Sequence, residues 1–429
     1  MHKFRYVRGG LHCEGVSVRS IARRYGPPVY IYSAGTMVEN YRRFAKAFEP
    51  LNIGVCYAVK ANSNLGVLAE LGRAGAGFDV VSGGELRRVA AAGGNVQRCV
   101  FAGVGKAEWE IEEALRRGIF SFHVESEPEL ERIARLARRL KIAASVALRV
   151  NPDVAAGGHE KITTGASYNK FGIPFEKIEP LYEAWSKNKW IRLRGIQMHI
   201  GSQIARVEPF LEAIRKIAPL AGRLRERFHI EYFSVGGGLG IPYEDALASG
   251  EPEWWKKKPG RDWITPEKYA AAVKPLLEPL GLRIFFEPGR WLVGPAGVLV
   301  TKVEYVKETP AKRFVIVDAG MTDLLRPALY DAYHEIVPVI PRKGPRIRAD
   351  VVGPVCESGD VFAKDRELPE VAEGDLLAVM SAGAYGAVMA SNYNSRPLPA
   401  EVMVKGRRVE LLRPRQSIED LWRRERVPD

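Results

Sequence analysis

Apolar and polar positions change their spacing repeatedly between about residues 36 and 290. Short runs rich in β-branched and aromatic residues predict strands, in the order VCYAVK, GFDVVS, CVFAG, FSFHVES, SVALRVN, LRGIQMHIG, YFSVGGG and LRIFFEPGR. Segments with apolar residues at helical spacing alternate with them and predict helices at 84–92, 107–117, 127–140, 206–226 and 266–280. Eight such β-α units predict an α/β fold with a closed, TIM-like (β/α)8 barrel. An open doubly wound sheet is the alternative, which eight regular units disfavour.

The pattern changes after residue 290. Strand-like runs then follow one another with few helical segments, and the last, EVMVKGRRVELL, contains a Lys405–Gly406 pair that predicts a tight hairpin. The first 35 residues are strand-like too, ending in GPPVYIYS. We therefore expect two domains: a barrel over 36–290, and a mainly antiparallel β-rich domain built from 1–35 and 291–429.

Composition is that of a water-soluble globular protein, because 46% of the 429 residues are hydrophobic and 27% are charged. No apolar run approaches the roughly 20 residues that cross a bilayer, and the start lacks the apolar core of a signal peptide. Four dispersed cysteines without a C-x-x-C pattern predict reduced thiols. We expect a cytoplasmic protein with no membrane partner.

The net charge of +13 raises the question of nucleic-acid binding. Most charges are interleaved, however, as in EWEIEEALRRG and ESEPELERIARLARRLK, where opposite charges pair along solvated helix faces. The basic clusters WWKKKPGR and LWRRER are short. The pattern therefore predicts no nucleic-acid partner.

A lysine follows the predicted buried strand GVCYAVK, and strand alternation places Cys56, Ala58 and Lys60 on one face. A lone lysine there is ordinarily a side chain that reaches out to water. Other polar residues also fall at the ends of predicted barrel strands: Asp79, His199, the glycines 236–238, Glu287 and Arg290. Each has a structural explanation by itself. Since barrel enzymes carry their active sites at the carboxyl ends of strands, the shared placement predicts one functional site.

The residue types at these strand ends indicate pyridoxal 5'-phosphate. Glycines let backbone N–H groups approach a phosphate, yet neither G-x-G-x-x-G nor a P-loop is present, because Tyr243 and Val100 stand where glycines are required. No metal-ligand pattern is present. A lysine can bind the cofactor aldehyde, an imidazole can stack on its ring, and Glu287 is the candidate carboxylate opposite the pyridine nitrogen.

The sequence resembles the diaminopimelate decarboxylases, in the alanine-racemase-like barrel class of pyridoxal-phosphate enzymes. The stretches that carry the resemblance occur in the family's order and span nearly the whole chain: YGPPVYIYS, YAVKANSN, GFDVVSGGEL, RVNPDV, HEKITTG, NKFGI, MHIGSQI, VGGGLGIPY, FEPGR, MTDLLRPALYDAYH, GPVCESGD and GAYGAVMASNYNSRP. Two departures from the family are Val104–Gly105, where Asn residues commonly precede the lysine, and the long insertion ASGEPEWWKKKPGRDW. The insertion lies in a Pro-, Trp- and Lys-rich stretch, about 244–262, which we expect to form a surface loop.

The resemblance implies site residues. Lys60 corresponds to the Schiff-base lysine, His199 to the ring-stacking residue and Glu287 to the partner of the pyridine nitrogen. Further cofactor positions are Asp79, Ser202, Gly237, Gly238, Pro288, Gly289, Arg290 and Tyr385. Substrate positions are Arg290, Arg326, Tyr330, Glu357 and Tyr385.

The resemblance also implies a homodimer with shared active sites, in which Cys356 reaches across the interface and supplies a proton. The implied reaction is decarboxylation of meso-2,6-diaminopimelate to L-lysine and CO2. Two arginines suit a substrate with a second carboxylate. The alternatives are decarboxylation of ornithine, arginine or carboxynorspermidine, an amino-acid racemase, and a non-catalytic pyridoxal-phosphate carrier.

Overall fold

The computed structural model describes residues 2–154, 170–257, 263–342 and 344–429. The chain divides into two compact units. The barrel unit comprises Val38–Ile241 and Arg261–Trp291, and the β-rich unit comprises Met1–Met37, Pro242–Gly260 and Leu292–Asp429.

The described residues contain both short barrel strands and longer strands of the β-rich unit. In chain order the strands are β1 (Phe4–Val7), β2 (Gly10–Cys13), β3 (Val16–Ser17), β4 (Val29–Ser33), β5 (Ile53–Ala58), β6 (Gly77–Val80), β7 (Cys99–Phe101), β8 (Ser121–Val124), β9 (Ala144–Asn151), β10 (Ile173–Pro174), β11 (Ile191–Gln197), β12 (Tyr232–Ser234), β13 (Arg283–Phe286), β14 (Gly297–Glu308), β15 (Arg313–Val317), β16 (Ile336–Pro338), β17 (Arg346–Val352), β18 (Val361–Pro369), β19 (Leu376–Val379), β20 (Ala400–Lys405) and β21 (Arg408–Arg413).

Most helices belong to the barrel unit. In chain order the helices are α1 (Val18–Tyr25), α2 (Ala34–Ala47), α3 (Leu65–Ala74), α4 (Gly83–Ala91), α5 (Glu108–Arg117), α6 (Glu127–Leu140), α7 (Ile178–Trp185), α8 (Glu208–Phe228), α9 (Pro252–Lys257), α10 (Pro266–Leu277), α11 (Arg290–Val293) and α12 (Arg326–Tyr330). In the described part of the chain, no helix has the length and apolarity needed to cross a membrane.

The predicted closed barrel is confirmed. Its eight parallel strands follow the order β5, β6, β7, β8, β9, β11, β12 and β13, and the pairing of β13 with β5 closes the ring. Amphipathic helices connect the strands, and serine caps such as Ser82 and Ser126 accept the first free amides of α4 and α6. All carboxyl ends of a parallel barrel lie on one rim, so residues that follow different strands become neighbours.

One prediction about the lysine strand is wrong. Strand β5 ends at Ala58, and Lys60 lies in a 3-10 turn formed by Val59–Ala61. The strand therefore stops two residues earlier than the apolar run suggests, since Val59 and Ala61 are both buried within the turn. Lys60 consequently does not share a strand face with Cys56 and Ala58.

The β-rich unit is built around β14, which pairs with β4, β15 and β19 in antiparallel register. Strand β4, from the N-terminal segment, lies between β14 and β20. Two pairs in this sheet are parallel, β4 with β20 and β15 with β17. The predicted hairpin at the end of the sheet joins β20 and β21, and Gly406 there has a φ of 66°.

The Pro-, Trp- and Lys-rich stretch 244–262 is partly packed, although its composition suggests a surface loop. Ala246 is fully buried in the core of the β-rich unit. The Leu247 amide donates to Glu335 at 2.7 Å, and the Trp255 indole N–H donates to the Ser249 carbonyl at 2.8 Å. Residues 258–262 lie outside the described residues.

Candidate active site

Five neighbouring barrel strands, in the order β11, β12, β13, β5 and β6, carry the predicted site residues at their carboxyl ends. Lys60 follows β5, and Asp79 lies near the end of the adjacent β6. The Lys60 Nζ lies 3.4 Å from the Asp79 Oδ2. Asp79 is 1% exposed and Lys60 is 39% exposed at the side chain, so a buried carboxylate faces an amine that ligands can reach. The structure therefore brings these two predicted residues together.

Glu287 follows β13, on the other side of β5, and its carboxylate is buried. Ser234 donates to its Oε1 at 2.6 Å and Gln197 donates to its Oε2 at 3.1 Å. Burial, with the nearby negative charge of Asp79, raises the pKa of Glu287 to about 7. The Glu287 side chain is thus held in a fixed orientation, and it gains or loses its proton near neutral pH.

The residues that surround Glu287 are not predicted by the sequence pattern. Ser234 and Gln197 end strands β12 and β11, and His123 lies on β8 with its Nδ1 3.4 Å from Glu287 Oε1. The His123 ring is fully buried, and neither of its nitrogens has a hydrogen-bond partner among the described residues. Their signal in the sequence is weak, since each is a polar residue inside an otherwise apolar strand. Only barrel closure places them around one carboxylate.

His199 follows β11, and its ring is fixed by the glycine loop. The Gly237 amide donates to its Nδ1 at 3.1 Å, so the neutral ring carries its proton on Nε2. Burial, together with the charges of Lys60 and Arg149, holds the pKa of His199 well below its usual range. The site therefore contains a neutral imidazole, and Gly237 positions it through the backbone.

The glycine loop after β12 leaves no room for side chains. A Cβ on Gly237 would lie 2.2 Å from the Glu287 carbonyl oxygen, and one on Gly238 would lie 2.4 Å from the Gly201 carbonyl oxygen. Gly238 also has a φ of 108°, which side chains other than glycine rarely adopt. The loop therefore approaches its neighbours with bare backbone, as an anion cradle requires.

The FEPGR segment continues from Glu287 along the same rim. The Ala58 amide donates to the Pro288 carbonyl at 3.3 Å, and a Cβ on Gly289 would lie 3.1 Å from the Ala58 Cβ. Arg290 is buried, and its Nη2 donates to the Ser202 Oγ at 3.0 Å. Pro288 and Gly289 thus lie close to Ala58 at the end of β5, just before Lys60. Arg290 and Ser202 contact each other.

The remaining predicted residues belong to the β-rich unit. Arg326 begins α12 and is buried, whereas Tyr330 ends the same helix and is half-buried. Tyr385 is half-buried in a loop after β19, with a φ of 56°. That left-handed conformation is unusual for an aromatic residue and is typical of functional loops.

Cys356 and Glu357 form an exposed loop between β17 and β18. The Cys356 amide donates to the Asn394 Oδ1 at 2.9 Å, and the Glu357 carboxylate accepts from the Tyr393 hydroxyl at 3.4 Å. Cys356 is the one exposed thiol of the four free cysteines. The Cys356 thiol is thus accessible from outside the chain.

In the described residues no group of His, Cys, Asp and Glu has the arrangement of a metal site.

A family model described as the pyridoxal binding domain of pyridoxal-dependent decarboxylases matches residues 34–294. The chain is 46% identical to the diaminopimelate decarboxylase of Vibrio cholerae, over 100% of this chain and 99% of that relative. It is 44% identical to the Aquifex aeolicus diaminopimelate decarboxylase, over 96% of this chain and 94% of that one.

Solved structures give the same result. The Helicobacter pylori diaminopimelate decarboxylase complexed with L-lysine matches with a TM-score of 0.88 and 39% identity, over 95% of this chain and 98% of that chain. The M. jannaschii diaminopimelate decarboxylase in co-complex with L-lysine matches with a TM-score of 0.91 and 35% identity, over 99% and 98% of the two chains. This chain belongs to the diaminopimelate decarboxylase family of pyridoxal-dependent decarboxylases.

Proposed function

We propose that the barrel site decarboxylates meso-2,6-diaminopimelate to L-lysine and CO2, the last step of lysine biosynthesis, with Lys60 as the cofactor-binding amine. The observation that carries the assignment is the juxtaposition, at the carboxyl ends of adjacent strands, of an accessible Lys60, the buried Asp79 carboxylate at 3.4 Å and the buried Glu287. A lysine that served only solubility would not face a carboxylate that is 1% exposed.

The residues present fit pyridoxal 5'-phosphate. Lys60 Nζ would hold its aldehyde carbon, His199 would lie on the ring face, and Glu287 would face the pyridine nitrogen. The bare backbone around Gly238 suits the phosphate, because a Cβ there would lie 2.4 Å from the Gly201 carbonyl oxygen. Ser202, Gly237, Arg290 and Tyr385 are the further proposed contacts.

When bound, the cofactor supplies a ring that accepts the electron pair released as CO2 leaves the substrate. Glu287 would contribute as a buried carboxylate opposite the pyridine nitrogen, because a nearby negative charge favours the protonated, positively charged form of that nitrogen. Ser234 and Gln197 keep the carboxylate in one orientation. The neutral His199 adds no positive charge against the ring face. Asp79 compensates the charge of the Lys60 ammonium in the free enzyme.

Substrate recognition is assigned to charged residues. Arg290 and Arg326 would bind the carboxylate that is retained in the product, because a guanidinium pairs with a carboxylate through two hydrogen bonds. Glu357 would take the neighbouring ammonium group. Tyr330 and Tyr385 are the remaining proposed contacts. This set favours diaminopimelate over ornithine, whose distal end has an amine and no carboxylate.

Cys356 is proposed to return a proton to the carbon that has lost CO2, in the active site of the partner subunit of a homodimer. Its thiol is exposed in the single chain. The partner subunit would cover it and exclude water, which protects the proton transfer from side reactions. The free state of all four cysteines suits the reducing cytoplasm, where we expect the enzyme to act.

Release of CO2 from four candidate substrates tests the reaction. We expect turnover of meso-diaminopimelate and a much lower kcat/KM for ornithine, arginine and carboxynorspermidine. Turnover of ornithine alone would contradict the substrate assignment. Cofactor binding without any CO2 release would indicate a carrier.

Borohydride reduction followed by peptide mapping tests the lysine. We expect the cofactor on the peptide that contains Lys60. Lys106 is the internal control, because it is equally a barrel lysine but is 1% exposed and paired with Glu129 at 2.6 Å. Label on any lysine other than Lys60 would defeat the assignment.

A further inference from the structure

A buried histidine in the β-rich unit, His334, contacts the proposed substrate residue Arg326. His334 is fully buried, and its Nε2 lies 2.6 Å from the Nη1 of Arg326. Its Nδ1 lies 2.7 Å from the carbonyl oxygen of Met380. A carbonyl oxygen only accepts hydrogen bonds and a guanidinium only donates them. The ring must therefore be neutral, with its proton on Nδ1 and its lone pair on Nε2.

The backbone fixes both ends of this contact. Helix α12 starts at Arg326 and ends at Tyr330, and the next residue, Asp331, has a φ of 48° and turns the chain back. The Met380 amide then donates to the Glu335 carbonyl at 2.8 Å, which continues the antiparallel pairing of β16 with β19. The sheet thus fixes the position of the His334 ring relative to the start of α12.

Tyr243 completes the cluster. The Arg326 guanidinium carbon lies 4.5 Å from the centre of the Tyr243 ring, and the His334 ring meets that ring at 4.9 Å with an interplanar angle of 73°. Arg366 also holds the histidine, since its Nη1 donates to the His334 carbonyl at 2.8 Å. The side chains of Tyr243, Arg326 and His334 are each 7% exposed or less. The guanidinium plane therefore has little freedom to rotate.

We propose that His334 is a positioning residue that orients Arg326 for the retained carboxylate of the substrate; this rests on the proposed function. A neutral acceptor suits this task because it fixes one N–H of the guanidinium without neutralising its charge. A carboxylate in the place of His334 would orient Arg326 equally well but would compete with the substrate for its positive charge. The imidazole thus supplies orientation and leaves the attraction for the substrate intact.

Two substitutions separate the two hydrogen bonds of the ring. His334→Gln places an amide oxygen near the Nε2 position and retains the acceptor for Arg326. His334→Asn places an amide N–H near the Nδ1 position and retains the donor to Met380 but has no acceptor for Arg326. Both are polar and smaller than or similar to histidine, so each is the control for the other.

Equilibrium binding to the holoenzyme, measured by calorimetry, uses L-lysine and cadaverine as probes. The two ligands differ only by the carboxylate that Arg326 would bind. For His334→Asn we expect L-lysine affinity to fall about 10- to 100-fold, with cadaverine affinity close to wild type. For His334→Gln we expect L-lysine affinity within about threefold of wild type. Equal losses for both ligands, or unchanged L-lysine binding in His334→Asn, would overturn the proposal.

Nitrogen NMR of the wild-type holoenzyme reports the tautomer of His334 directly, and this measurement does not depend on the stability of His334→Asn. The His334 signal is assigned as the one that is absent from the spectrum of His334→Gln. We expect a neutral ring protonated on Nδ1; a proton on Nε2 would overturn the proposal. A failure of the proposed function looks different. In that case the wild-type enzyme would release no CO2 from diaminopimelate, whereas the tautomer of His334 would still decide whether it accepts from Arg326.

Discussion

Glu287 is buried, and a second carboxylate, that of Asp79, lies nearby. Burial and the charge of Asp79 raise its pKa to about 7, whereas the hydrogen bond from Ser234 acts in the opposite direction. In the unfolded chain the pKa of the same group is near its ordinary value of 4.5. The folded state therefore binds more protons than the unfolded state between these two values.

The first prediction concerns stability against pH for the chain without cofactor. The contribution of protonated Glu287 to the unfolding free energy is fully present below pH 4.5 and is lost as the pH rises through about 7. Between these values the unfolded chain releases the proton that the folded state retains, so a rising pH favours unfolding. The expected loss is on the order of 3 kcal/mol of unfolding free energy. Urea unfolding from pH 4.5 to 8 measures it. In Glu287→Gln this part of the pH dependence should disappear; an identical pH profile for the variant would show that Glu287 does not titrate in this range.

The second prediction concerns Ser234, which donates to Glu287 Oε1 at 2.6 Å. This hydrogen bond favours the ionised carboxylate, so Ser234→Ala should raise the Glu287 pKa further, by about one unit. The midpoint of the stability change with pH measures the shift. Ser121→Ala is the matched control, since Ser121 is also buried on a barrel strand but donates to backbone carbonyls. A downward shift in Ser234→Ala would contradict the assigned direction.

Among the elements, the loop after β12 depends most on its glycines. A Cβ on Gly237 would lie 2.2 Å from the Glu287 carbonyl oxygen, a backbone atom that cannot move aside as the end of a flexible side chain could. Gly222 offers a contrast, because it lies within α8 and a Cβ there meets no atom within 4 Å. The two positions therefore separate the intrinsic effect of alanine from the steric one.

The third prediction uses these two glycines. Gly237→Ala should destabilise the holoenzyme by about 1–3 kcal/mol through overpacking and weaken cofactor binding, because the loop must move away from Glu287. Gly222→Ala should stabilise it by about 0.5–1 kcal/mol, since alanine favours a helix. Thermal unfolding and cofactor titration measure both effects. Unaltered cofactor affinity in Gly237→Ala would show that the tight loop is not needed for binding.

Strand periodicity explains why so much of the barrel follows from the sequence. The eight apolar runs are regular, and their carboxyl ends carry Lys60, Asp79, His199 and Glu287, so the site follows once the barrel is inferred. The exact end of a strand does not follow, because Val59 and Lys60 form a 3-10 turn in which the apolar pattern continues. Periodicity does not distinguish a buried turn from the last residues of a strand.

Contacts between strands distant in the chain remain hidden for another reason. His123, Gln197 and Ser234 meet Glu287 only through pairings that connect residues up to 164 positions apart in sequence. A serine or glutamine inside an apolar strand has no periodic signal. His334 is similar, since its partner Met380 is 46 positions away. Their roles depend on register, which single-sequence patterns do not contain.

At the scale of the whole molecule, the proposed role of Cys356 predicts that one chain alone is not sufficient for activity. Its thiol is exposed, and so is the neighbouring Glu357, whose carboxylate accepts from Tyr393. Tyr393 is itself 48% exposed. Tyrosine is enriched at protein–protein interfaces, so an exposed Tyr393 close to a proposed proton donor is suited to one.

The fourth prediction is that inactive protomers restore each other. In a two-fold dimer with shared sites, Lys60→Ala mixed with Cys356→Ala places both defects in one site and leaves the other intact. Random exchange at equal amounts should then give about one quarter of wild-type activity, well above either variant alone. CO2 release after subunit exchange measures it. The control replaces Cys356→Ala by the Lys60→Ala/Cys356→Ala double variant, which leaves no intact site. Verified mixed dimers without recovery would show that Cys356 serves its own subunit or none, because a shared site must be rebuilt when each chain supplies what the other lacks.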